Sequence, residues 1–232
     1  MTTVAAKGRR EAWSARLYLP AYHIKEAARY ARVSPRTVTT WHKLRDNGKR
    51  TLSAKDSGLA LSYLQLIEVA TIATLRKRGV KLEIIRDFRD YVAHALNSQY
   101  PFAEHRFKTD GKRLVMDSEQ FDRAVKGKLI EPARGGQLAW REVIGEKLEE
   151  FDYHDGLASR WHVAGRDKPI IIDPQIAFGA PALRGVTTWI LRERFQGGES
   201  LRLLADDFDL STSEVKAALA FEHVYVRRRA GT

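Results

Sequence analysis

The sequence predicts a mainly α fold with small β elements. Apolar residues recur at helical spacing in residues 22–43, 61–97 and 187–222, and capping residues or glycines separate the short helices. Between these regions, strand-turn-strand patterns indicate a small sheet. We expect an N-terminal domain of residues 1–98, a mixed strand and helix module of residues 99–168, and a C-terminal domain of residues 169–232.

Composition limits the classes of protein that fit the chain. Its 232 residues are 44% hydrophobic, which is enough for one large domain or several small ones. The absence of cysteine excludes disulfides, thiolate zinc sites and a cysteine nucleophile, and it fits a reducing compartment. No apolar run resembles a signal peptide or reaches the roughly 18 residues that span a bilayer. The sequence therefore predicts a cytoplasmic protein.

Positive charge is concentrated in the N-terminal quarter. Residues 1–50 hold 12 Lys and Arg against 3 Asp and Glu, whereas residues 99–168 hold 13 of each class. A basic patch confined to one segment suits phosphate contact, because each neutralised phosphate releases counterions. A solvated basic tail has the same composition, so charge alone leaves both interpretations open.

Residues 22–43, YHIKEAARYARVSPRTVTTWHK, predict two short helices joined by a tight turn. The first helix places four apolar residues on one face, at Ile24, Ala27, Ala28 and Ala31. The small alanines allow a second helix to approach closely, and Val33 closes the turn. Ser34 suits an N-cap and Pro35 suits the first helical position, so the second helix begins there and runs through Trp41.

Two short helices joined in this way form a helix-turn-helix, whose second helix enters the major groove of DNA. On that helix Val38 and Trp41 lie three residues apart and face inward, so we interpret Trp41 as a core anchor. The other positions hold side chains that can reach bases or phosphates. The predicted DNA contacts are Ser34, Arg36, Thr37, Thr39, Thr40, His42 and Lys43, followed by Lys49 and Arg50.

The run from Tyr22 to Lys43 resembles the DNA-binding head of MerR-type regulators, in which an eAA...gVs..Tl..W pattern marks helix, turn and recognition helix. Residues 61–88, LSYLQLIEVATIATLRKRGVKLEIIRDF, resemble the segment that follows the MerR wing. The resemblance implies a winged helix-turn-helix that reads a palindromic operator as a dimer.

The chain departs from the MerR pattern at two places. Thr39 and Thr40 stand where the recognition helix usually carries an Arg-Tyr pair. Residues 61–63, Leu-Ser-Tyr, replace the Arg-x-Tyr of the wing. Phosphate contacts near the wing would then come from nearby basic residues, at Lys49, Arg50 and Lys55.

Residues 61–97 predict two further helices separated by a break at Gly79. The apolar stripe of the first is Leu64, Ile67, Val69, Ala73 and Leu75, and that of the second is Leu82, Ile85, Phe88, Val92 and Leu96. Such stripes are usually core. In MerR-like proteins, helices after the head also couple it to a dimer partner, so part of this surface is a candidate interface.

The middle module predicts short strands around one helix. RFKTDGKRLVMD indicates two strands around a Thr-Asp-Gly-Lys turn, FDYHDGLASRWHV indicates another strand-turn-strand, and a helix is expected near 138–150. Carboxylates and histidines here could bind a metal or act as general bases, at Glu149, Glu150, Asp152, His154, Asp155 and His162. The alternative is a solvated helix end followed by a turn. Because the chain has no P-loop, GxGxxG, HExxH or GxSxG motif, we expect no enzyme, no catalytic residue, no metal and no cofactor.

The C-terminal domain predicts a strand at Ile170–Ile172 and then three helices. The first starts at Thr187 or Thr188 and stops at residues 197–198, both glycine, and the second begins at residues 199–200, Glu-Ser. Ser211 with Glu214 forms a capping box for the third. The side chains expected to face inward are Leu201, Leu204, Phe208, Val215, Ala218 and Leu219. These helices form a second trihelical, helix-turn-helix-like unit.

Residues 169–222 resemble a small family, formerly of unknown function, found in VapB-like antitoxins of prokaryotic type II toxin–antitoxin modules. The matching residues are Asp173, Pro174, Gly179, Pro181, Gly185, Gly198, Glu199, Ser200, Leu204, Phe208, Leu210, Ser211, Val215 and Ala218. The chain departs where Val186-Thr187 follows Gly185 in place of the usual Thr-Arg or Thr-Gly, so no role of that arginine is carried over. The resemblance implies an antitoxin with an N-terminal DNA-binding domain, encoded beside a PIN-like ribonuclease toxin.

The function expected from both resemblances is an antitoxin that neutralises its toxin by direct binding and represses its own operon. PIN-type nucleases hold divalent metal with clustered carboxylates, and arginines that pair with this cluster compete with the metal. Candidates for this role are Arg227, Arg228 and Arg229, although a solvated basic tail is the alternative. The partners expected are double-stranded operator DNA, the toxin and a second copy of the chain, with no membrane. A MerR-like transcriptional regulator answering a small-molecule effector is the rival.

Overall fold

Residues 13–43, 48, 51–53, 60–105, 107 and 143–225 are described by the computed structural model. Within these residues the protein is mainly helical with small two-stranded antiparallel sheets, as predicted. The chain forms two compact units, Met1–Ser159 and Arg160–Thr232. None of the helices in the described ranges is long and apolar enough to cross a membrane.

The N-terminal unit begins with short elements that surround the predicted turn. Helix α1 covers residues 13–18, strand β1 covers Tyr22–His23, helix α2 covers Ile24–Ala31 and helix α3 covers Pro35–His42. Strand β2, Ala60–Leu61, pairs antiparallel with β1 and places Tyr22 opposite Leu61. Both helices predicted in residues 22–43 are therefore present. The chain after α3 comes back to this region, since β2 pairs with β1, the strand that immediately precedes α2.

Helix α4, Tyr63–Lys77, is the central element of this unit. Twelve of its fifteen residues are buried, so it is enclosed on nearly all sides rather than along one stripe. The predicted stripe is buried, but so are the polar residues Gln65, Glu68 and Thr71. Ser62 caps the helix by accepting a hydrogen bond from the Gln65 amide, while the Gln65 side chain accepts one from the Ser62 amide.

Helix α5, Leu82–Leu96, follows the predicted break at Gly79, whose φ of +83° is left-handed. Its inward side chains are buried, at Ile84, Ile85, Phe88, Val92 and Leu96. Leu82, which we expected in the same stripe, is only partly buried because it lies in the first turn of the helix. The 3₁₀ turn Pro101–Ala103 follows.

Residues 143–161 contain the second predicted hairpin of the middle region. Val143–Lys147 are π-helical and Leu148–Glu150 form a 3₁₀ turn, followed by β3, Phe151–His154, and β4, Leu157–Trp161. Asp155 and Gly156 both have positive φ, at 47° and 81°, as a type I′ hairpin turn requires. Residues 138–142 of the predicted helix lie outside the described residues. The hairpin predicted in RFKTDGKRLVMD lies outside them too, except for Phe107.

The C-terminal unit contains an extended segment, a hairpin and three helices. Ile172 bridges Trp161 and Ile171 bridges Ala182, so the predicted strand at Ile170–Ile172 is extended. Strands β5, Ala182–Leu183, and β6, Val186–Thr187, form the hairpin. Helices α6, Thr188–Gln196, α7, Leu201–Asp207, and α8, Thr212–Phe221, follow at the predicted positions.

The three helices enclose one apolar core. Its buried members are Leu183, Leu191, Leu204, Ala205, Leu210, Val215, Ala218 and Leu219. Leu201 and Phe208 pack against this core while partly exposed. Ser200 caps α7 by accepting from the Leu203 amide, and Ser211 with Glu214 forms the predicted capping box of α8.

Candidate nucleic-acid interface

The turn between α2 and α3 is short because both helix ends are capped within it. Arg32 is left-handed, with φ of 56°, and the Val33 amide donates to the Ala28 carbonyl at 2.9 Å. Ser34 then starts α3, since its Oγ accepts from the Thr37 amide at 3.1 Å. Three residues therefore separate the two helices.

One face of α3 is fixed in the core of the N-terminal unit. Val38 and Trp41 are buried, and Ala27 and Ala28 of α2 are buried with them, as the alanine pattern predicted. The carbonyl of Trp41 accepts hydrogen bonds from the amides of residues 51 and 52, Thr and Leu, at 3.2 Å each. The interpretation of Trp41 as a core anchor is confirmed.

The opposite face of α3 collects four of the predicted contacts. Arg36, Thr39, Thr40 and Lys43 have i, i+3, i+4 and i+7 spacing, so they share a face directed away from Val38 and Trp41. Arg36, Thr39 and Lys43 are exposed, and Thr40 is half-buried. We name these four residues the outer face of α3.

The threonines of the outer face turn their hydroxyl hydrogens inward. Thr39 donates to the Pro35 carbonyl at 3.1 Å, and Thr40 donates to the Arg36 carbonyl at 2.8 Å. Each hydroxyl oxygen keeps a lone pair that can still accept a hydrogen bond. The two basic residues of the face, Arg36 and Lys43, are the ones predicted to contact phosphate.

The remaining predicted contacts occupy other positions. Ser34 and Thr37 share a hydrogen bond of 2.7 Å between their hydroxyl oxygens at the start of α3. Their hydroxyls therefore serve the helix cap. His42 is partly buried at the flank of the helix. Lys49, Arg50 and Lys55 lie outside the described residues.

Residues 51–53 are buried beside α3, after the segment in which the MerR resemblance implies a wing, and we name them the wing base. Thr51 accepts a hydrogen bond from Arg86 Nε of α5 at 2.9 Å, and the Ser53 amide donates to Glu68 Oε2 of α4 at 3.3 Å. These contacts were not predicted from the sequence. The available signal was the pair of polar residues Gln65 and Glu68 within an apolar run.

Glu68 and Arg89 form a buried ion pair behind the wing base. Arg89 Nε donates to Glu68 Oε1 at 3.2 Å, and Arg89 Nη2 donates to the Gln99 carbonyl at 2.8 Å. The Glu68 side chain is fully buried and that of Arg89 is 9% exposed. Burial raises the pKa of the Glu68 carboxyl, while Arg89 and the Ser53 amide oppose that rise.

The acidic and histidine residues near 149–162 are dispersed among local contacts. Glu150 forms an ion pair with Lys147, and His154 lies 3.5 Å from Asp155. The His154 ring also packs edge-on against Trp13 at 4.8 Å. Across the described ranges, no three His, Cys, Asp or Glu residues are grouped so as to hold a metal ion.

The C-terminal unit presents an exposed aromatic side chain on a strained turn. Phe178 is 91% exposed and has φ of 55° between Ala177 and Gly179, which are also left-handed. Buried Asp173 holds the segment before it by accepting from the Gln175 amide at 2.8 Å and from Arg160 Nη2 at 3.2 Å. The sequence showed this region only as a glycine-punctuated loop. The predicted toxin contacts Arg227, Arg228 and Arg229 lie outside the described residues.

The chain is similar to a family model, to a curated protein and to a solved structure. A family model described as "Protein of unknown function (DUF433)" matches residues 170–221, which run from the extended segment to the end of α8. A Mycobacterium tuberculosis (strain ATCC 25618 / H37Rv) protein named "Putative antitoxin VapB45" is 25% identical over 233 residues, covering 88% of this chain and 94% of the relative. The X-ray crystal structure of Rv2018 from Mycobacterium tuberculosis superposes with a TM-score of 0.74 at 21% identity, covering 88% of this chain and 99% of that chain. The structural likeness shows a shared fold.

Proposed function

We propose that this protein is the antitoxin of a type II toxin–antitoxin module, which neutralises a PIN-like ribonuclease and represses its own operon. The observation that carries the proposal is the relative named as an antitoxin, whose similarity extends over 88% of this chain rather than over one domain. The family model matches residues 170–221, within the segment whose sequence resembles the C-terminal part of VapB-like antitoxins.

The outer face of α3 supports the DNA-binding half of the proposal. Arg36 and Lys43 are exposed on one side of a helix whose other side is anchored by Val38 and Trp41. A helix held in this way can lie in a major groove with its cations directed at DNA. A dimer of the chain would place two such helices about 34 Å apart, or a multiple of that distance, on a palindromic operator.

The toxin-binding half of the proposal rests on three arginines near the C-terminal end of the sequence. Three consecutive arginines follow Val226, and each can pair bidentately with a carboxylate of a metal-dependent nuclease. Such pairing would displace the catalytic metal, so the toxin would be inhibited while bound. The exposed Phe178 gives the C-terminal unit an apolar anchor of the kind that buried protein interfaces use.

The experiment that tests both halves is co-purification of the tagged chain with the product of the adjacent gene, followed by binding of the complex to the shared promoter. A stoichiometric complex with a small nuclease that binds this DNA is the expected result. Promoter binding without any protein partner would contradict the antitoxin function. That outcome would favour a MerR-like regulator, and titration with candidate effectors would then be the next measurement.

A further inference from the structure

The wing base is fixed against the recognition helix from three directions. The Trp41 carbonyl accepts from two of its amides, Arg86 of α5 donates to Thr51, and Glu68 of α4 accepts from Ser53. All three residues of the base are buried, with exposures of 0% to 4%. The backbone of residues 51–53 is therefore held in a defined position beside α3.

The carboxylate of Glu68 is buried behind the wing base, which is unusual for a charged group. Well-packed apolar side chains of similar volume usually give equal or greater stability than a buried ion pair, because charges lose their hydration on burial. What an apolar pair cannot provide is an acceptor for the Ser53 amide. The Glu68 carboxylate provides one acceptor oxygen to Ser53 and the other to Arg89.

Arg89 in turn determines where that carboxylate lies. Its guanidinium connects Glu68 on α4 with the Gln99 carbonyl after α5, so the carboxylate is held from behind at 3.2 Å. Arg86 lies three residues earlier on the same helix and holds the other end of the wing base. Two arginines one turn apart on α5 thus set the position of residues 51–53.

We propose that Glu68, with Arg86 and Arg89, forms a clamp whose role is to position the wing base against the recognition helix for DNA binding. The three clamp residues act through Thr51 and Ser53 and do not touch DNA themselves. This inference rests on the proposed DNA-binding function for its consequence, although the positioning itself is a property of the free protein.

The test is a double substitution, Glu68→Leu with Arg89→Met, in the full chain. Removing both charges together avoids leaving one of them buried alone, so the remaining cost is that of the unpaired Ser53 amide, and the variant should stay folded with a modestly lower unfolding temperature. We expect hydrogen exchange of the Ser53 amide, followed by NMR in the free protein, to become about tenfold faster or more. Affinity for promoter DNA at fixed salt should fall about tenfold, because the wing base loses its defined position beside α3.

Two further variants keep the test decisive. Thr51→Val removes the hydrogen-bond acceptor of Arg86 with almost no change in volume. It therefore tests the contact of Arg86 with the wing base even if the double variant does not fold. It should weaken DNA binding several-fold. The matched control is Glu222→Gln, a buried carboxylate of the C-terminal unit that accepts from Thr188 and Arg192. It should leave both Ser53 exchange and DNA affinity unchanged.

The outcomes separate the clamp from the proposed function. Unchanged Ser53 exchange in a folded double variant would overturn the positioning role. Faster exchange with unchanged DNA affinity would overturn its consequence for binding. Failure of the wild type to bind promoter DNA would instead refute the DNA-binding function, while the exchange result would still decide whether Glu68 holds the wing base.

Discussion

The hydroxyl of Thr188 donates a 2.6 Å hydrogen bond to Oε1 of Glu222, which joins the first turn of α6 to the residue that follows α8. Both residues are buried, and Glu222 Oε2 also accepts from Arg192 Nη1 at 3.2 Å. The first and last helices of the C-terminal unit are therefore connected through one carboxylate.

We predict that Thr188→Val lowers the free energy of unfolding of the C-terminal unit by about 1–3 kcal/mol. The substitution preserves volume but leaves one buried carboxylate oxygen without this donor. Urea unfolding of the full chain, followed at probes in residues 160–225, measures the change. Thr212→Val at an exposed position is the matched control, for which we expect a change within about 0.5 kcal/mol. Equal effects of the two substitutions would contradict the importance of the buried bond.

The helices and caps of this protein could be predicted from sequence because their signals are local. Ser34, Ser200 and Ser211 each cap a helix at the predicted position, and each acts on an amide three residues away. The capping geometry depends on neighbouring residues alone. The same is true of the inward Val38 and Trp41, whose burial follows from helical spacing.

The contacts that the sequence did not predict join distant segments. Glu68 lies in a run of apolar residues, and its partner Arg89 is 21 positions away, so nothing local pairs them. Phe178 is a different case, since it adopts a left-handed conformation that local propensity assigns to glycine. The DNA contacts assigned to the outer face of α3 remain predictions.

Replacement of Arg36 and Lys43 by alanine tests the outer face of α3. Both side chains are exposed, so the fold should be unaffected, while loss of two phosphate contacts should weaken operator binding. The slope of log affinity against log salt should decrease by about one for each lost contact. Fluorescence anisotropy with promoter DNA at several salt concentrations measures both quantities.

The matched control for the outer face is Lys216→Ala, which removes an exposed cation from α8 of the C-terminal unit. We expect it to leave the salt slope unchanged. If Lys216→Ala reduces the slope and the double substitution in α3 does not, the DNA contact lies on the C-terminal trihelical unit.

The capping box of α8 predicts a dependence of stability on pH. The Ser211 amide and hydroxyl lower the pKa of Glu214 below its usual range, because both donate to the charged carboxylate. A lowered pKa in the folded state gives stability that is present above the ordinary glutamate pKa. That stability is lost as the pH falls through the lowered value.

Glu214→Gln isolates this charge effect, since glutamine keeps the capping geometry. Near neutral pH the wild type should exceed the variant in free energy of unfolding by about 0.5 kcal/mol, a small value because the side chain is only partly buried and solvent weakens the interaction. Urea unfolding at a series of pH values measures the difference, which should disappear in acid below the lowered pKa. A difference that grows on acidification would show that another carboxylate is responsible.

The basic tail predicts a distinction between charge and geometry in toxin binding. Substitution of Arg227, Arg228 and Arg229 by lysine keeps three positive charges but removes the planar fork that pairs with carboxylates. If these arginines compete with the catalytic metal, the lysine variant should neutralise the toxin at least tenfold less well, and the alanine variant less well again. Inhibition of the nuclease by each purified variant, at several Mg²⁺ concentrations, measures both effects.

The arginines would be excluded as the toxin contact if the alanine variant neutralised the toxin as well as the wild type does. The toxin contact would then lie elsewhere in the C-terminal unit, and Phe178→Ala would be the next variant to compare.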